Sequence, residues 1–265
     1  MKRGSFWSWL WVALGAIYFL LPLYATLEFS FRACARDELC LKAYDNVLND
    51  SQFISTFTFS VQMAIMTIIA SILILVPTAY WVHLRLRRLR PLVEFVSLLP
   101  FVIPAIVLVF GLIRIYSRPP LLLTRTPATS NILLVAGYVV LSLPYMYRAV
   151  DTGLRAMDVS TLTEAALSLG AGWPTILFRV ILPNLRTALL SGALLTFAIV
   201  IGELTLAQYL ARPAFGPYLA LLGQNRAFEP AALSIISFAL TWVAMGMIAF
   251  LTRGKPGQGQ IAGAH

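Results

Sequence analysis

The chain has 265 residues, of which 59% are hydrophobic and only 12% are charged, and its formal net charge is +9. Soluble domains are typically about half apolar and about a quarter charged, so this composition indicates a protein of the lipid bilayer. With so few charged side chains, the basic surplus predicts contact with the cytoplasmic lipid surface and argues against a nucleic-acid-binding protein.

Long apolar windows follow one another along the chain. A helix needs about 20 mostly apolar residues to cross the hydrocarbon core. Five stretches free of ionisable side chains, and one that contains only Glu203, meet this requirement. They predict an all-α integral membrane protein with six transmembrane helices, at about 7–27, 55–82, 92–114, 130–147, 187–210 and 230–252.

The loop that follows the first predicted span contains Cys34 and Cys40, the only cysteines of the chain. With a cytoplasmic N-terminus, this loop lies on the oxidising side of an inner membrane, where disulfides form. A small disulfide-closed loop and two free thiols are both compatible with the C-x5-C spacing, because that spacing alone does not discriminate between them.

The distribution of Lys and Arg predicts the orientation, since short cytoplasmic loops are enriched in these residues. If the N-terminus is cytoplasmic, 12 of the 20 basic residues lie on the cytoplasmic side. Both termini of this multi-pass protein are therefore predicted to be cytoplasmic. The whole of 1–265 is predicted to be one membrane domain with a core of about 55–252, because no linker separates soluble domains.

Prolines occur within several of the predicted spans, and each removes a backbone hydrogen bond that neighbouring protein must replace. They predict kinked and packed helices, in which a given proline is either a packing irregularity or a hinge beside a cavity. These prolines are Pro77, Pro100, Pro104 and Pro144.

The predicted cytoplasmic loop at about 148–186 is too long to be a simple connection and is expected to be folded. Thr161 and Glu164 have the spacing of a capping box at the start of a short helix. Gly170 is placed to end that helix with a positive φ, and Pro174 suits the first turn of a second helix. The second helix is predicted to run to about residue 181, where Leu182-Pro183 closes it. Such a helical pair fits either a groove on another protein or the lipid surface.

The sequence of this loop carries a longer motif. Glu164-Ala165-Ala166-x3-Gly170-x9-Val180-Ile181-Leu182-Pro183 resembles the EAA loop of the binding-protein-dependent permeases of ATP-binding-cassette (ABC) importers, whose pattern is E-A-A-x3-G-x9-I-x-L-P. Val180 in place of Ile is the departure. The similarity extends over about 55–250. Tyr80 is followed by basic residues within 85–90 and then by an apolar run with Leu99-Pro100 and Ile103-Pro104, and this order is similar to the second and third core helices of the spermidine/putrescine-type branch.

This resemblance implies a type I ABC importer permease fold, a multi-pass location in a bacterial inner membrane, and a subunit that forms part of the solute pathway. It implies three partners: a cytoplasmic ABC ATPase dimer that uses the ATP and Mg, a second permease subunit that is identical or different, and a periplasmic solute-binding protein. The ATPase-coupling residues would be Glu164, Ala165, Ala166, Gly170, Leu182 and Pro183. The chain itself has no G-x-x-x-x-G-K-[ST] loop, so it is predicted to be no enzyme and to hold no cofactor.

Glu203 is the one ionisable residue deep within a predicted span, and such residues are by default functional. It is predicted to contact a cationic solute or form a gate, with Thr196 and Gln208 as pathway neighbours. The alternative is a carboxyl group satisfied by a neighbouring helix or at the interface between two permease subunits. Hydrogen bonding between helices explains Thr196 and Gln208 equally well. His83 and His265 are far apart in the sequence, so no metal site is predicted.

The solute is predicted to be a polyamine or another small polar solute, with ferric iron, thiamine and an aminophosphonate left open. Two other functions compete with an importer permease. An integral-membrane enzyme acting on lipid-linked substrates should place several acid, His or Ser groups near one membrane face. An ion-coupled carrier should show an internal repeat and several charges within its spans.

Overall fold

The computed structural model describes residues 4–34 and 40–252, and within these ranges the regular structure is helical. Each of the six predicted windows contains helix. The helices are α1 Gly4–Ser30, α2 Lys42–Leu48, α3 Ser51–Leu84, α4 Arg90–Val102, α5 Ala105–Tyr116, α6 Pro127–Arg155, α7 Val159–Ser168, α8 Trp173–Thr175, α9 Leu182–Asn184, α10 Arg186–Gly202, α11 Thr205–Tyr209, α12 Phe215–Asn225 and α13 Glu229–Thr252. The first three residues and those from 253 onward lie outside the described residues, so the cytoplasmic location of both termini stays a prediction.

Three helices of the described chain are long and apolar enough to cross a membrane by themselves. They contain Trp7–Ser30, Ser51–Leu84 and Pro127–Arg155. Two further pairs of helices pass the same test only if each bent pair is one span, which raises the number to five. Glu229–Val243 is a shorter apolar helix. Six apolar helical regions are therefore present, but six straight spans are not.

The window at 92–114 is one of those that bend, and the prediction of one continuous helix there is wrong. The segment Arg87–Val102 and helix α5 meet at an angle of 101°. Ile103, between them, has an extended backbone with φ −88° and ψ 114°. The cause is Pro104, because its ring excludes the preceding residue from the helical region and it has no N–H to continue the hydrogen-bond ladder.

The window at 187–210 is also interrupted. Helix α10 ends at Gly202, and Glu203 leaves the helical conformation with φ −77° and ψ 126°. The chain becomes helical again only for the short α11. The prediction of one helix over this window is therefore wrong, and the break falls at the charged residue that the sequence analysis singled out.

The described chain divides into two units, and the single membrane domain over 1–265 stays a prediction. The larger unit contains 56–217, and its close helix packing involves α6 and α10. A Cβ on Gly192 of α10 would lie 2.7 Å from Met146 Sδ, and a Cβ on Gly153 of α6 would lie 2.7 Å from Ala188 Cβ. Small residues thus allow these two helices to approach closely.

The smaller unit contains the described residues up to 55 and those at 218–244. Cys34 and Cys40 form a disulfide in it, which is one of the two arrangements that the sequence left open. In the segment that follows this loop, Asp50 accepts a hydrogen bond from the Tyr218 hydroxyl at 2.7 Å, and the Asn46 side chain donates one to Glu229 at 3.1 Å. These bonds tie the chain that follows the disulfide to α12 and α13.

Candidate functional site

The EAA-like loop begins with helix α7, which starts earlier than the sequence predicted. Asp158 is the N-cap, because its carboxylate accepts from the Thr161 backbone N–H at 3.2 Å and from the Thr161 hydroxyl at 2.6 Å. The hydrogen bond from the Thr161 hydroxyl is the largest of several that lower the pKa of Asp158. The predicted capping box of Thr161 with Glu164 is wrong, since an aspartate three residues upstream already serves as the cap.

Helix α7 ends in a sharp corner at Gly170, whose φ is +80°. The Ala171 N–H donates to the Ala166 carbonyl at 3.0 Å, and the Gly170 N–H donates to the Leu167 carbonyl at 2.9 Å. This is the pattern of a glycine C-cap, in which a left-handed residue closes the last helical turn. The predicted positive φ at this glycine is confirmed.

The second limb of the loop is more irregular than predicted. Pro174 lies in the first turn of α8, as expected, but Ile176–Ile181 is a π-helical segment and the chain stays helical as far as Asn184. Trp173–Asn184 then meets α10 at an angle of 76°. Leu182-Pro183 therefore lies just before this bend and does not end the limb by itself.

Buried contacts hold the loop against the end of α3. The Tyr80 hydroxyl lies 2.9 Å from Thr163 Oγ1, and both residues are buried. The rings of Trp81 and Trp173 pack with their centroids 5.1 Å apart. Ile176, which is fully buried, completes the inner side of the second limb. The loop is therefore fixed to the membrane-spanning helices through both of its limbs.

The motif residues lie on the outer side of this anchored loop. Glu164, Ala165, Gly170 and Pro183 are exposed, whereas Ala166 and Leu182 are half-buried. The apolar side chain of Leu169 is 88% exposed beside the glycine corner. The loop thus presents small and apolar groups to its surroundings, which fits a surface that another protein covers.

Removal of the Tyr80 hydroxyl tests the hydrogen bond that anchors α7 to α3. We expect Tyr80→Phe to destabilise the protein by about 1 kcal/mol, because a buried hydrogen bond is lost while Thr163 still donates to the Val159 carbonyl. Thermal unfolding in detergent measures the change. Tyr209→Phe, on an exposed tyrosine, should leave the unfolding temperature unchanged. An equal effect of the two substitutions would contradict the anchoring role.

A cluster of charged residues lies at the C-terminal end of α6, and the sequence analysis did not predict it. Asp151 lies 2.7 Å from both His83 and Arg155 and 3.3 Å from Arg90. Glu94 accepts from Arg90 at 3.0 Å and from Arg155 at 2.9 Å. The sequence did carry two signals, since Arg90 with Glu94 and Asp151 with Arg155 are both four residues apart on a helix. Arg90, which pairs with Glu94 on its own helix, therefore links α4 to α6 through its ion pair with Asp151.

Glu203 has a local structural role. The residue is 9% exposed, and its carboxylate accepts from the Leu206 backbone N–H at 2.9 and 3.0 Å and from that of Ala207 at 3.3 Å. It thereby caps α11 at the break in the span. This agrees with the alternative that a neighbouring helix satisfies the carboxyl group, and the helix is α11, which follows Glu203 directly in the chain.

The other two pathway candidates lie in different environments. Thr196 is fully buried in α10, and its hydroxyl has no hydrogen-bond partner among the described residues. Gln208 is exposed on α11. Within the described chain no hydrogen bond joins either side chain to Glu203, so their role in the pathway stays a prediction.

The capping role of Glu203 leads to a prediction that separates it from a cation site. We expect Glu203→Ala to cost about 1–3 kcal/mol of stability, because two buried N–H groups lose their acceptor. Glu203→Gln should cost less, since its amide oxygen can still accept. Unfolding temperature and solute uptake are measured together. A Gln variant of unchanged stability that loses uptake would indicate a charge requirement in the pathway and contradict a purely capping role.

Residues 76–254 match the family described as the binding-protein-dependent transport system inner membrane component. The chain belongs to this family. It is thus a multi-pass inner-membrane permease subunit of an ABC importer, and the expected family, all-α permease fold and membrane location are confirmed. The spermidine/putrescine-type branch and the cytoplasmic location of the termini stay predictions. The family is one of transport components, so the membrane enzyme and the ion-coupled carrier are set aside.

Relatives of the permease transport different solutes according to their names. The probable molybdenum ABC transporter permease of Haloferax volcanii is 29% identical over 84% of this chain and 82% of its own length. The putative ferric transport system permease of Haemophilus influenzae is 37% identical over 39% of this chain and only 16% of its own length. The spermidine/putrescine permease PotB of Escherichia coli is 24% identical over 58% and 60%. These relatives support the permease assignment but do not agree on a solute.

Solved structures show the same fold. A chain of the bacterial ABC transporter that imports the acidic polysaccharide alginate matches with a TM-score of 0.72 at 13% identity, over 94% of both chains. A chain of an amino acid ABC transporter with histidines matches with a TM-score of 0.56 at 17% identity, over 79% of this permease and 97% of that chain. The overall fold of this chain is therefore shared with these transporter chains.

Proposed function

We propose that this permease forms part of the solute pathway and is coupled to a separate ABC ATPase through the outer side of its EAA-like loop. The observation that carries this proposal is the glycine corner at Gly170, with exposed Glu164 and Ala165 on the helix before it. The hydrogen bond between Tyr80 and Thr163 joins the loop to α3, so a displacement of the loop by a bound ATPase would also displace α3. A lipid-surface helix would need no such anchor.

The proposed partners follow from the family and from one structural relative. The family description itself names dependence on a binding protein. A bacterial alginate transporter, solved in complex with its oligosaccharide-bound periplasmic protein, matches this chain with a TM-score of 0.70 at 14% identity over 95% of both chains. We accordingly propose a periplasmic binding protein, an ATPase dimer that uses ATP and Mg, and a second permease subunit, identical or different. Closure of the ATPases would draw the loops together and turn the pathway outward.

The solute is proposed to be small and polar. The expected polyamine had two supports: the likeness to the spermidine/putrescine branch and the carboxylate of Glu203. The second support is weak, because the backbone N–H groups of Leu206 and Ala207 already donate hydrogen bonds to that carboxylate. The polyamine itself stays a prediction, alongside the metal-containing solutes named for other relatives.

Co-purification tests the coupling. The permease is tagged and extracted from its native membrane in mild detergent, and ATPase activity is measured in the eluate. We expect an ABC ATPase to accompany the unaltered permease and to be lost from Ala165→Arg, which places a long charged side chain on the proposed docking surface.

Ala128→Arg is the matched control, because Ala128 is exposed in the first turn of α6, the end opposite to the loop. It should retain the ATPase. Equal retention by both variants, or no ATPase with a folded unaltered permease, would refute coupling through this loop.

A further inference from the structure

A groove of about 820 Å³ runs between α6 and α10 in the larger unit, with Phe101 of α4 at its side. Arg148 and Thr152 line it from α6, and Thr187 and Ser191 line it from α10. On each helix these residues are four apart, so they occupy one face. The volume lies within the range of about 300–1,000 Å³ that is usual for small-molecule sites.

The groove has an uncompensated positive charge. Arg148 is the only charged side chain among its described lining residues, and it is exposed. The neighbouring Arg90 and Arg155 are held by Asp151 and Glu94, whereas no ion pair to Arg148 is present within the described chain. The electrostatics of the groove therefore favour an anion.

Arg148 also borders a smaller cavity of about 180 Å³, which Glu94 and Asp151 line as well. These two carboxylates do not neutralise it, because each already accepts from at least two other basic side chains. The positive charge of Arg148 consequently remains available to the larger groove.

The remaining polar groups of the groove fit the same chemistry. Thr152, Thr187 and Ser191 bring hydroxyl groups that can donate hydrogen bonds, and no carboxylate lines the groove among the described residues. Asn184 donates its amide N–H to the Val180 carbonyl at 2.7 Å. A polyamine needs carboxylates or several free carbonyl oxygens, whereas a guanidinium beside hydroxyls pairs with the oxygens of an oxyanion.

We propose that the groove between α6 and α10 is a contact site for the transported solute, that this solute is a small oxyanion, and that Arg148 binds it in passage. This inference rests on the proposed function, since it concerns the pathway of the same permease. It assigns the chemical class of the solute from the lining of the groove. Glu203 does not oppose it, because its carboxylate is buried and bonded to backbone N–H groups.

Protection of a thiol in the groove tests the proposal. Ser191→Cys places an exposed thiol on the wall of the groove. The two native cysteines of the permease form a disulfide, so they do not react. The complex with its co-purified ATPase is alkylated with a maleimide in the presence of sulfate, molybdate or putrescine, and labelling of this chain is followed by mass spectrometry.

We expect about 10 mM sulfate or molybdate to slow alkylation roughly tenfold, as a site with a Kd of about 1 mM requires, and putrescine to have no effect. Arg148→Gln in the same Ser191→Cys background should abolish the protection. Arg88→Gln, which removes an exposed cation outside the groove, should preserve it.

Protection by putrescine alone, protection by none of the three, or a thiol that does not react in the complex would each overturn the proposal. The last result would mean that another subunit covers the groove. Failure of the proposed function is read separately, because it appears as absence of the ATPase from the purified complex before any alkylation is done.

Discussion

Gly170→Val is expected to weaken coupling between the permease and its ATPase about ten- to hundredfold. The glycine has a φ of +80°, which costs a β-branched residue about 1–3 kcal/mol. No atom of the protein lies within 4 Å of a Cβ at this position, so the effect comes from the backbone conformation and not from a clash. The corner would relax, and the surface that carries Glu164 and Ala165 would lose its fixed shape.

Gly172→Val is the matched control for this substitution. Gly172 lies in the same loop, but its φ of −77° and ψ of 162° are ordinary extended values. A Cβ there would meet only Pro174 Cδ, at 3.9 Å. Solute-stimulated ATPase activity of the reconstituted importer is measured for both variants. Similar activities would show that the conformation of the corner is not needed for coupling.

Gly216→Ala is expected to destabilise the permease by about 2–3 kcal/mol. The added Cβ would lie 2.3 Å from the Glu203 carbonyl oxygen, 2.8 Å from its carbonyl carbon and 3.0 Å from Leu204 Cα. All three are backbone atoms, so no side chain can rotate away to make room. The start of α12 would have to move from the break that separates α10 from α11.

Gly223→Ala controls for the effect of removing a glycine from the same helix. A Cβ at Gly223 would have no neighbour within 4 Å, and alanine should be neutral or stabilise the helix by about 0.5–1 kcal/mol. The fraction of monodisperse protein that survives a heating series in detergent reports both changes. Equal survival of the Gly216→Ala variant and the unaltered permease would contradict the close approach at Glu203.

Local patterns predicted the EAA-like loop because its signals lie within a few residues of one another. The positive φ of Gly170 and the place of Pro174 are requirements of the backbone at single positions. The start of α7 was misplaced because two capping signals compete there. Asp158 and Thr161 are both good caps, and the hydrogen bond that decides between them is visible only in three dimensions.

The contacts that hold the loop and its surroundings could not be predicted in this way. Tyr80 and Thr163 are 83 residues apart, and His83 and Asp151 are 68 residues apart. Each of these residues alone has several ordinary explanations in a membrane protein. Their pairing depends on how α3 packs beside α6 and α7, which periodicity within one helix does not encode.

Composition and hydropathy determined the class of this protein, because a chain this apolar with long windows of few charges is stable only as helices in a bilayer. The spacing of Glu164, Gly170 and Pro183 then indicated the family. The tertiary structure decided where the predicted spans are interrupted, by a bend at Pro104 and by a break at Glu203, and what the buried carboxylate of Glu203 bonds to. It also brought Arg148 to the groove between α6 and α10. These features depend on the packing of distant helices, and only the folded chain places their atoms within bonding distance.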